Sequence, residues 1–200
     1  METAPTVYEE FSEEIWPQSC EALLAKMTEH ACHGVEYVVL DVCSLGGEVA
    51  SAMSVYQALC SPPFEFVTRN TGELASMGNL VFLAGKRRLA APEATFLLHP
   101  ITVKTPTGWP TAAPWLDVED MRNLRTKVER SGAPPKLFTE LDLGIVRLAR
   151  EEQEVQKIFE ERTNLAGSAF RALVQGRTSL SAAEAYAVGI VHEIVPASRS

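Results

Sequence analysis

Hydrophobic positions in the first hundred residues alternate between short apolar runs and longer helical stripes. The run at 35–42 is almost continuously apolar, which is typical of a buried strand in a parallel sheet. Other strand-like runs occupy 6–12, 64–69, 88–91 and 94–98. Helical stripes occupy 17–33, 48–59 and 80–84. This alternation predicts a parallel α/β sheet with right-handed crossovers.

The second half of the chain has a different composition. Prolines interrupt residues 101–140, which also carry Trp109 and Trp115. We predict one domain over residues 1–200 with a proline-rich insertion at about 101–140, which serves as a lid, an interface or an ordered surface excursion. Helices are predicted at 117–130, 141–163 and 167–174, and a closing strand at 190–195. Ser181 and Glu184 form a predicted capping box at the last helix.

Three candidate catalytic segments follow the carboxyl ends of predicted strands. Gly46-Gly47 follows the strand at 35–42, Ser76 follows the strand at 64–69, and His99 follows the strand at 94–98. Ligands bind beyond the carboxyl ends of strands in open α/β sheets. The sequence therefore predicts an active site at that edge of the sheet.

Ser76 lies where a strand turns into an apolar helix, with small neighbours at Ala75 and Gly78. A tight turn there exposes the hydroxyl, and the next amide, Met77 N–H, lies at a helix N-terminus that favours negative charge. This is the arrangement of a nucleophile elbow. The alternative is a serine that only caps the helix.

Composition and charge exclude several function classes. The chain has 200 residues, 46% hydrophobic content, a formal net charge of −8 and a pI of about 5.1. We therefore expect no nucleic-acid or membrane partner. There is no signal-peptide pattern and no membrane-length apolar run. Four cysteines without CxxC spacing are expected to be reduced and mostly buried, in a cytoplasmic protein.

Metal and cofactor sites are not expected. His30, Cys32 and His33 cluster at the end of the first helix, but no fourth ligand accompanies them, and histidines at a helix C-terminus are commonly surface groups. No glycine-rich phosphate cradle or basic nucleotide-binding pattern is present.

An ordered set of short motifs resembles the Clp protease proteolytic-subunit family, within the wider group that includes the crotonases. The matching motifs are Ser44–Gly47 with the helix through Tyr56, Leu74–Gly78, Leu83–Gly85, the strand ending in His99, Leu180–Ala185, and Gly189–Val191. The resemblance covers residues 35–100 and 141–195. It implies a ClpP/crotonase-like α/β fold with a parallel sheet of repeated β-β-α and βαβ units and a long helix in the C-terminal half.

The resemblance also implies a serine-type endopeptidase. Ser76 then corresponds to the nucleophile, His99 to the general base, and the backbone amides of Gly47 and Met77 to the oxyanion hole. The residue types suit these roles, because a serine hydroxyl needs a hydrogen-bonded base and an imidazole titrates near neutral pH. The implied partners are a peptide or protein substrate, identical subunits in a ring of six or seven, and an ATP-driven unfoldase.

Three departures from the family pattern leave alternatives open. The family's triad aspartate position is Arg177, so the third member is unknown, with Asp117, Asp120 and Asp142 as candidate substitutes. The family's glycine-rich groove segment is replaced after His99, and little chain precedes the first strand to form axial loops. A Ser-His dyad, a catalytically impaired structural or regulatory subunit and, less favoured, a crotonase-type acyl enzyme therefore remain alternatives.

Overall fold

A five-stranded sheet in which all neighbouring strands are parallel is the largest sheet of the computed structural model, which describes residues 6–131 and 134–196. The order is β1-β2-β3-β5-β10. In chain order the strands are β1 (Thr6–Phe11), β2 (Tyr37–Val42), β3 (Glu65–Asn70), β4 (Glu73–Ala75), β5 (Arg87–Ala90), β6 (Thr95–Leu97), β7 (Val103–Lys104), β8 (Trp115–Leu116), β9 (Ser179–Ser181) and β10 (Glu193–Ile194). The predicted parallel α/β fold is confirmed.

The described residues contain seven helices. They are α1 (Pro17–Cys32), α2 (Val49–Leu59), α3 (Gly78–Leu83), α4 (Val118–Ser131), α5 (Pro135–Arg162), α6 (Gly167–Gln175) and α7 (Ala182–Ala187). Pro17 opens α1 at a position where its missing N–H is not needed. The capping box of Ser181 and Glu184 at α7 is confirmed. The closing strand is shorter than predicted and contains only Glu193 and Ile194.

Only one face of the five-stranded sheet is fully covered. Val38, Leu40 and Val42 of β2 are completely buried, whereas the alternate residue Tyr37 is 46% exposed. On the open face Asp41 pairs through both carboxylate oxygens with Arg69 of β3 at 2.6 Å. The prediction of a strand buried on both faces is therefore wrong for β2, because its apolar run includes side chains that face outward.

A second sheet lies before two of the three predicted catalytic segments, since Ser76 follows β4 and His99 follows β6. Strands β4 and β6 are parallel, and β9 pairs antiparallel with β6. The sequence analysis did not identify β4 or β9, which have only three residues each. Ser76 therefore follows β4 rather than the strand at 64–69. The short strands escaped prediction because three residues show no usable hydrophobic period.

The described residues form two compact units, and residues 100–158 make up the second. This unit contains the antiparallel β7–β8 pair, α4 and most of α5, with buried side chains that include Met121 and Leu148. The helix predicted at 117–130 is α4. The long helix begins at Pro135 rather than at 141, because proline is compatible with a first helical position. The single-domain boundaries and the role of the 101–140 insertion remain predictions.

The cysteine prediction holds only in part. All four cysteines are free thiols, but only Cys20 is buried and Cys32 is exposed. No helix among the described residues is long and apolar enough to cross a membrane.

A buried arginine ties together the ends of several elements in the first unit. Arg88 of β5 is only 2% exposed, and its guanidinium donates to the carbonyls of Gly85, Arg162, Gly189 and Ile190 at 2.6 to 3.3 Å. These carbonyls lie near the C-termini of α3, α5 and α7, where helix dipoles favour positive charge. Burial lowers the pKa of Arg88 to about 10, so the side chain stays charged at neutral pH.

His192 completes the Arg88 cluster and makes it sensitive to pH. Its Nε2 lies 2.7 Å from Arg88 Nη2 and its Nδ1 lies 3.3 Å from the backbone nitrogen of Arg88, so both ring nitrogens face donor groups of Arg88. A protonated imidazole carries a hydrogen on both nitrogens and can accept from neither donor. Partial burial lowers the pKa of His192, and the charges of Arg88, Arg162 and Arg87 lower it further. The folded chain therefore prefers neutral His192.

We expect the folded state to lose stability as pH falls below about 6.5, the pKa of an unperturbed histidine, because the unfolded chain then binds a proton that the folded chain resists. In His192→Gln the loss of unfolding free energy on acidification should be smaller than in the wild type, by less than about 1 kcal/mol because much of His192 is exposed. Urea unfolding between pH 7.5 and pH 5 measures it. His33→Gln, at the exposed end of α1, is the control, and equal slopes in wild type and His192→Gln would contradict the expectation.

Candidate active site

The backbone of Ser76 adopts a left-handed conformation between β4 and α3. Its φ is +52°, which is unusual for a residue other than glycine. Its amide donates to the carbonyl of Leu97, the last residue of β6, at 3.0 Å. A positive φ at a serine between a strand and a helix is the strained geometry of a nucleophile elbow. An ordinary N-cap serine has an extended backbone instead, and Met77 is the N-cap of α3.

The loop after β2 is fixed against this turn by backbone hydrogen bonds. Ala75 N–H donates to the carbonyl of Ser44 at 2.9 Å. On its other side, the loop forms a parallel bridge between Gly47 and Ile15. Ile15 N–H donates to the carbonyl of Gly46, and Glu48 N–H donates to the carbonyl of Ile15, both at 2.8 Å. The loop is therefore fixed on both sides by main-chain groups.

Glycine is required where the loop and the turn meet. Gly46 has φ of +94°, and a Cβ atom there would lie 2.7 Å from Ser76 Cβ and 2.9 Å from Met77 N. At Gly78 a Cβ would lie 2.5 Å from the carbonyl oxygen of Ser44. All three distances are shorter than side-chain contacts allow. The two glycines thus permit the close approach of the 44–47 loop and the 75–78 turn.

The two amides that the sequence analysis assigned to the oxyanion hole lack hydrogen-bond acceptors. Within residues 6–131 and 134–196, neither Gly47 N–H nor Met77 N–H donates to another group. Gly47 is exposed and has φ of +151°, whereas Met77 is 5% exposed. Unpaired backbone donors beside a serine are the groups that stabilise a developing oxyanion in acyl transfer.

Asn79 is a buried polar residue that the sequence analysis missed. Its Nδ2 donates to the carbonyls of Ser76 at 3.1 Å and Leu97 at 3.0 Å, which joins the turn to β6. Its Oδ1 is the one buried side-chain oxygen or nitrogen among the described residues without a hydrogen-bond partner. An asparagine within the apolar run 78–84 was the available signal, since a fully buried amide needs partners.

His99 lies two residues beyond the point where β6 is bonded to the Ser76 turn. It is half-buried and belongs to the same unit as Ser76. The Ser76 hydroxyl makes no hydrogen bond with another residue in the described part of the chain, so the structure does not join these two side chains directly. Catalytic serine–histidine bonds are often long before substrate binds.

Arg177 lies just before the point where β9 pairs with β6. The antiparallel register pairs Leu97 with Ser179, and Leu98 N–H donates to the carbonyl of Thr178 at 2.9 Å, which brings the residue before His99 into contact with the residue after Arg177. Arg177 is exposed and has φ of +49°. The residue at the family's triad aspartate position thus lies in the turn between α6 and β9, next to the residue that is bonded to Leu98.

The backbone conformation of Arg177 has a local cause. Thr178 N–H donates to the carbonyl of Leu173 at 3.1 Å, and Arg177 N–H donates to Val174 at 3.0 Å. These two bonds form a Schellman motif at the end of α6, with Arg177 at the left-handed position that glycine usually occupies. The hydrogen bonds at the end of α6 therefore fix the backbone position of Arg177.

The three candidate replacement acids have local partners. Asp117 Oδ1 accepts from Asp120 N–H at 2.9 Å, and Asp120 Oδ2 accepts from Asp117 N–H at 3.3 Å, so these two cap α4. Asp142 pairs with Arg125 at 2.9 Å. Each carboxylate therefore has a structural role within the second unit, and the identity of a third triad member remains a prediction.

The predicted histidine cluster has other partners. His30 Nε2 lies 2.8 Å from a carboxylate oxygen of Glu9, and His33 Nδ1 lies 2.8 Å from the carbonyl of Glu29. Within the described ranges, no three histidine, cysteine or acidic side chains are grouped as metal ligands.

Comparison with known proteins assigns the chain to a family. The model of the Clp protease family matches residues 6–112, more than half of the chain. The chain belongs to the Clp protease family. The matched region includes the 44–47 loop, the Ser76 turn and His99.

Curated relatives match a shorter segment. The proteins named ATP-dependent Clp protease proteolytic subunit 1 from Mycobacterium tuberculosis and Mycobacterium leprae are each 30% identical over 92 residues. The alignment covers 45% of this chain and 44% of those relatives. The match therefore spans less than half the length of the curated relatives.

The fold of the chain is that of a solved Clp structure over nearly its whole length. A ClpP1 mutant from Listeria monocytogenes superposes with a TM-score of 0.72, covering 96% of this chain and 92% of that one at 17% identity. The likeness at this identity shows the fold alone, and the α/β fold class predicted from the resemblance is thereby confirmed.

We expect Gly46→Ala to displace the Ser76 turn, because the new Cβ meets Ser76, Ala75 and Met77 at 2.7 to 2.9 Å. The unfolding free energy should fall by about 2–4 kcal/mol from overpacking and backbone strain. Gly34→Ala is the matched control, since Gly34 also has a positive φ of +68° but open space around it, and it should cost only about 1 kcal/mol. Denaturant unfolding measures both variants. Equal losses of unfolding free energy in Gly46→Ala and Gly34→Ala would contradict the close approach of the 44–47 loop to the Ser76 turn.

Proposed function

We propose that the chain is a serine peptidase of the Clp type that cleaves peptide bonds in peptide or protein substrates. Ser76 attacks the scissile carbonyl carbon, and His99 takes the hydroxyl proton and later delivers it to the leaving amine. The amides of Gly47 and Met77 donate to the oxyanion of the tetrahedral intermediate. Water then hydrolyses the acyl-enzyme and releases the acid product.

The left-handed backbone of Ser76 is the observation that carries this proposal. A φ of +52° costs free energy that a structural serine at this turn does not need, and such strain concentrates at functional sites. Gly46 and Gly78 remove side chains where these would obstruct the turn, and Asn79 fixes the carbonyl of Ser76. The surrounding residues thus maintain a conformation whose chemical use is exposure of the hydroxyl.

The unpaired amides support acyl transfer over other reactions of a lone serine. Each oxyanion donor stabilises the transition state of acyl transfer by roughly 3 kcal/mol. Gly47 N–H and Met77 N–H come from segments that meet around Ser76, because Gly46 and Ser76 are in close contact. Their donation to an oxyanion needs no rearrangement of existing hydrogen bonds.

A second candidate function is favoured by Arg177. In the serine-protease triad the aspartate holds the histidine in the correct tautomer, and its loss lowers kcat by about 10⁴-fold. The family's aspartate position holds Arg177, and an arginine, which has no hydrogen-bond acceptor, cannot perform this task. The second candidate is therefore a catalytically impaired subunit with a structural or regulatory role, whereas the first requires a Ser-His dyad or an acid from another position.

Ring assembly is part of the proposal. The open face of the five-stranded sheet carries Tyr8, 65% exposed, and Tyr37, 46% exposed, beside Val39. Apolar surface of this kind favours contact with another subunit. The relatives named ATP-dependent proteolytic subunits suggest an ATP-driven unfoldase as partner. We propose a cytoplasmic homo-oligomer on the same basis.

Labelling with a fluorophosphonate serine probe tests the nucleophile. We expect covalent labelling of the wild type, loss of labelling in Ser76→Ala, and unchanged labelling in Ser54→Ala, which alters an exposed serine of α2. His99→Asn should lower the labelling rate by at least about 10²-fold if His99 is the base. The labelling rate is also measured in Asp117→Asn, Asp120→Asn and Asp142→Asn. A lower rate in one of these variants would identify that aspartate as the replacement acid.

Absence of labelling in assembled wild type would contradict the peptidase and favour the impaired subunit. Labelling that persists in Ser76→Ala would place the reactive serine elsewhere. Peptide hydrolysis measured on the same samples separates a reactive serine from a complete peptidase, because hydrolysis also requires deacylation.

Light scattering coupled to size exclusion tests the ring. Six or seven copies of the 21.9-kDa chain give about 131 or 153 kDa. Tyr8→Glu should lower the mass by placing a charge on the open sheet face, whereas Tyr186→Glu, an equally large change at a side chain 55% exposed on α7, should not. A monomer at micromolar concentration would contradict the ring.

A further inference from the structure

Asn79 is the single polar residue of a helix whose residues are all buried. The rest of α3 consists of glycine and apolar residues, and Asn79 is 0% exposed. Its side-chain oxygen, Oδ1, accepts no hydrogen bond within residues 6–131 and 134–196. A buried acceptor without a donor lowers the stability of the fold. An alanine at this position would lack that acceptor and has the higher helix propensity, so stability does not explain the asparagine.

The nitrogen of the Asn79 side chain makes two hydrogen bonds to carbonyls that already have donors. Nδ2 donates to the carbonyl of Ser76 at 3.1 Å and to the carbonyl of Leu97 at 3.0 Å. The carbonyl of Ser76 also accepts from Asn79 N–H at 3.2 Å, and that of Leu97 also accepts from Ser76 N–H at 3.0 Å. Removal of the side chain would therefore leave neither carbonyl without a donor.

The two bonds from Nδ2 fix the peptide group between Ser76 and Met77. The carbonyl of Ser76 and the N–H of Met77 belong to one peptide group, which is planar and rigid. A hydrogen bond that holds this carbonyl therefore also holds the direction of Met77 N–H, which has no acceptor in the described part of the chain. Because the same Nδ2 is bonded to Leu97, the peptide group is held relative to β6.

We propose that Asn79 is a positioning residue for the reaction, an inference that rests on the proposed peptidase function. It holds the Ser76–Met77 peptide group so that the Met77 amide stays directed at the oxyanion while the Ser76 hydroxyl attacks. Asn79 is buried and acts only through these two residues. The unpaired Oδ1 is the cost in stability of placing a donor between the two carbonyls.

Asn79→Ala separates positioning from stability. We expect the rate of fluorophosphonate labelling and kcat for a peptide to fall by about 10- to 100-fold, because small displacements of reacting groups have effects of this size. KM should change by less than about twofold, since a buried residue makes no contact with substrate. Tm should change by less than about 4 °C, because removal of the unpaired oxygen offsets the loss of two hydrogen bonds.

Asn70→Ala is the matched control. Asn70 is also 0% exposed, and its Nδ2 donates to the carbonyl of Thr95 at 3.0 Å. Its Oδ1, unlike that of Asn79, accepts from Gly72 N–H at 2.9 Å. Asn70→Ala should therefore lower Tm by about 4–8 °C, because a buried donor loses its acceptor. The labelling rate should fall less than in Asn79→Ala, which is the reverse of the order in Tm.

Asn79→Asp tests the donor with a side chain of nearly the same shape. A neutral carboxyl group donates one hydrogen bond, and an ionised carboxylate donates none. Burial beside two carbonyls should raise the pKa of the new carboxyl group above its ordinary value of about 3.9. Relative to the wild type at the same pH, the labelling rate should therefore recover in part as pH falls from about 8 to about 5. Asn79→Ala should show no such recovery.

The outcomes distinguish this inference from the proposed function. Equal labelling rates at Ser76 in the wild type and in Asn79→Ala would overturn the role of Asn79 while the peptidase stands. If the probe leaves the wild type unlabelled, the peptidase fails. Hydrogen exchange of peptides that cover residues 75–78, measured by mass spectrometry, then decides the inference. We expect exchange to be about tenfold faster in Asn79→Ala than in the wild type, and equal exchange would overturn the inference.

Discussion

The close packing of the 44–47 loop against the Ser76 turn is the constraint on which the candidate site depends. A single methyl group at Gly46 or Gly78 would overlap backbone or side-chain atoms across this contact. Main-chain bonds from Ala75 to Ser44 and from Ser76 to Leu97 hold the turn between β2 and β6. The left-handed backbone of Ser76 persists because neighbouring elements restrain it on both sides.

Main-chain groups provide most of this architecture, which explains how the fold persists at low sequence identity. The bridge between Ile15 and Gly47 and the bonds around Ser76 place few demands on side chains. Only glycine at the close approaches and small residues in the turn are required. A solved Clp structure shares the fold at 17% identity, which agrees with a fold that requires few specific side chains. The chemistry, by contrast, depends on individual side chains such as Arg177, where the chain departs from the family pattern.

Buried cations are stabilised in this fold without carboxylates. Arg88 donates to four carbonyls near three helix ends, and Arg162 adds bonds to the carbonyls of Leu83 and Gly85. Aligned carbonyl dipoles substitute for a counter-ion. His192 adds a neutral acceptor.

The sequence by itself determined the main strands, the helices and the Clp family resemblance, because hydrophobic periods and glycine, proline and capping signals are local. It also identified the loop at 44–47 and the turn at Ser76 from their small residues. Only the tertiary structure revealed β4 and β9, the open face of the sheet, and Asn79 as the link between the turn and β6. Three-residue strands have no period, and pairing partners lie far apart in the chain: Leu97 meets Ser179, and Asn79 reaches Leu97. The pairing of β6 with β9 likewise came from strand register, which no local pattern encodes.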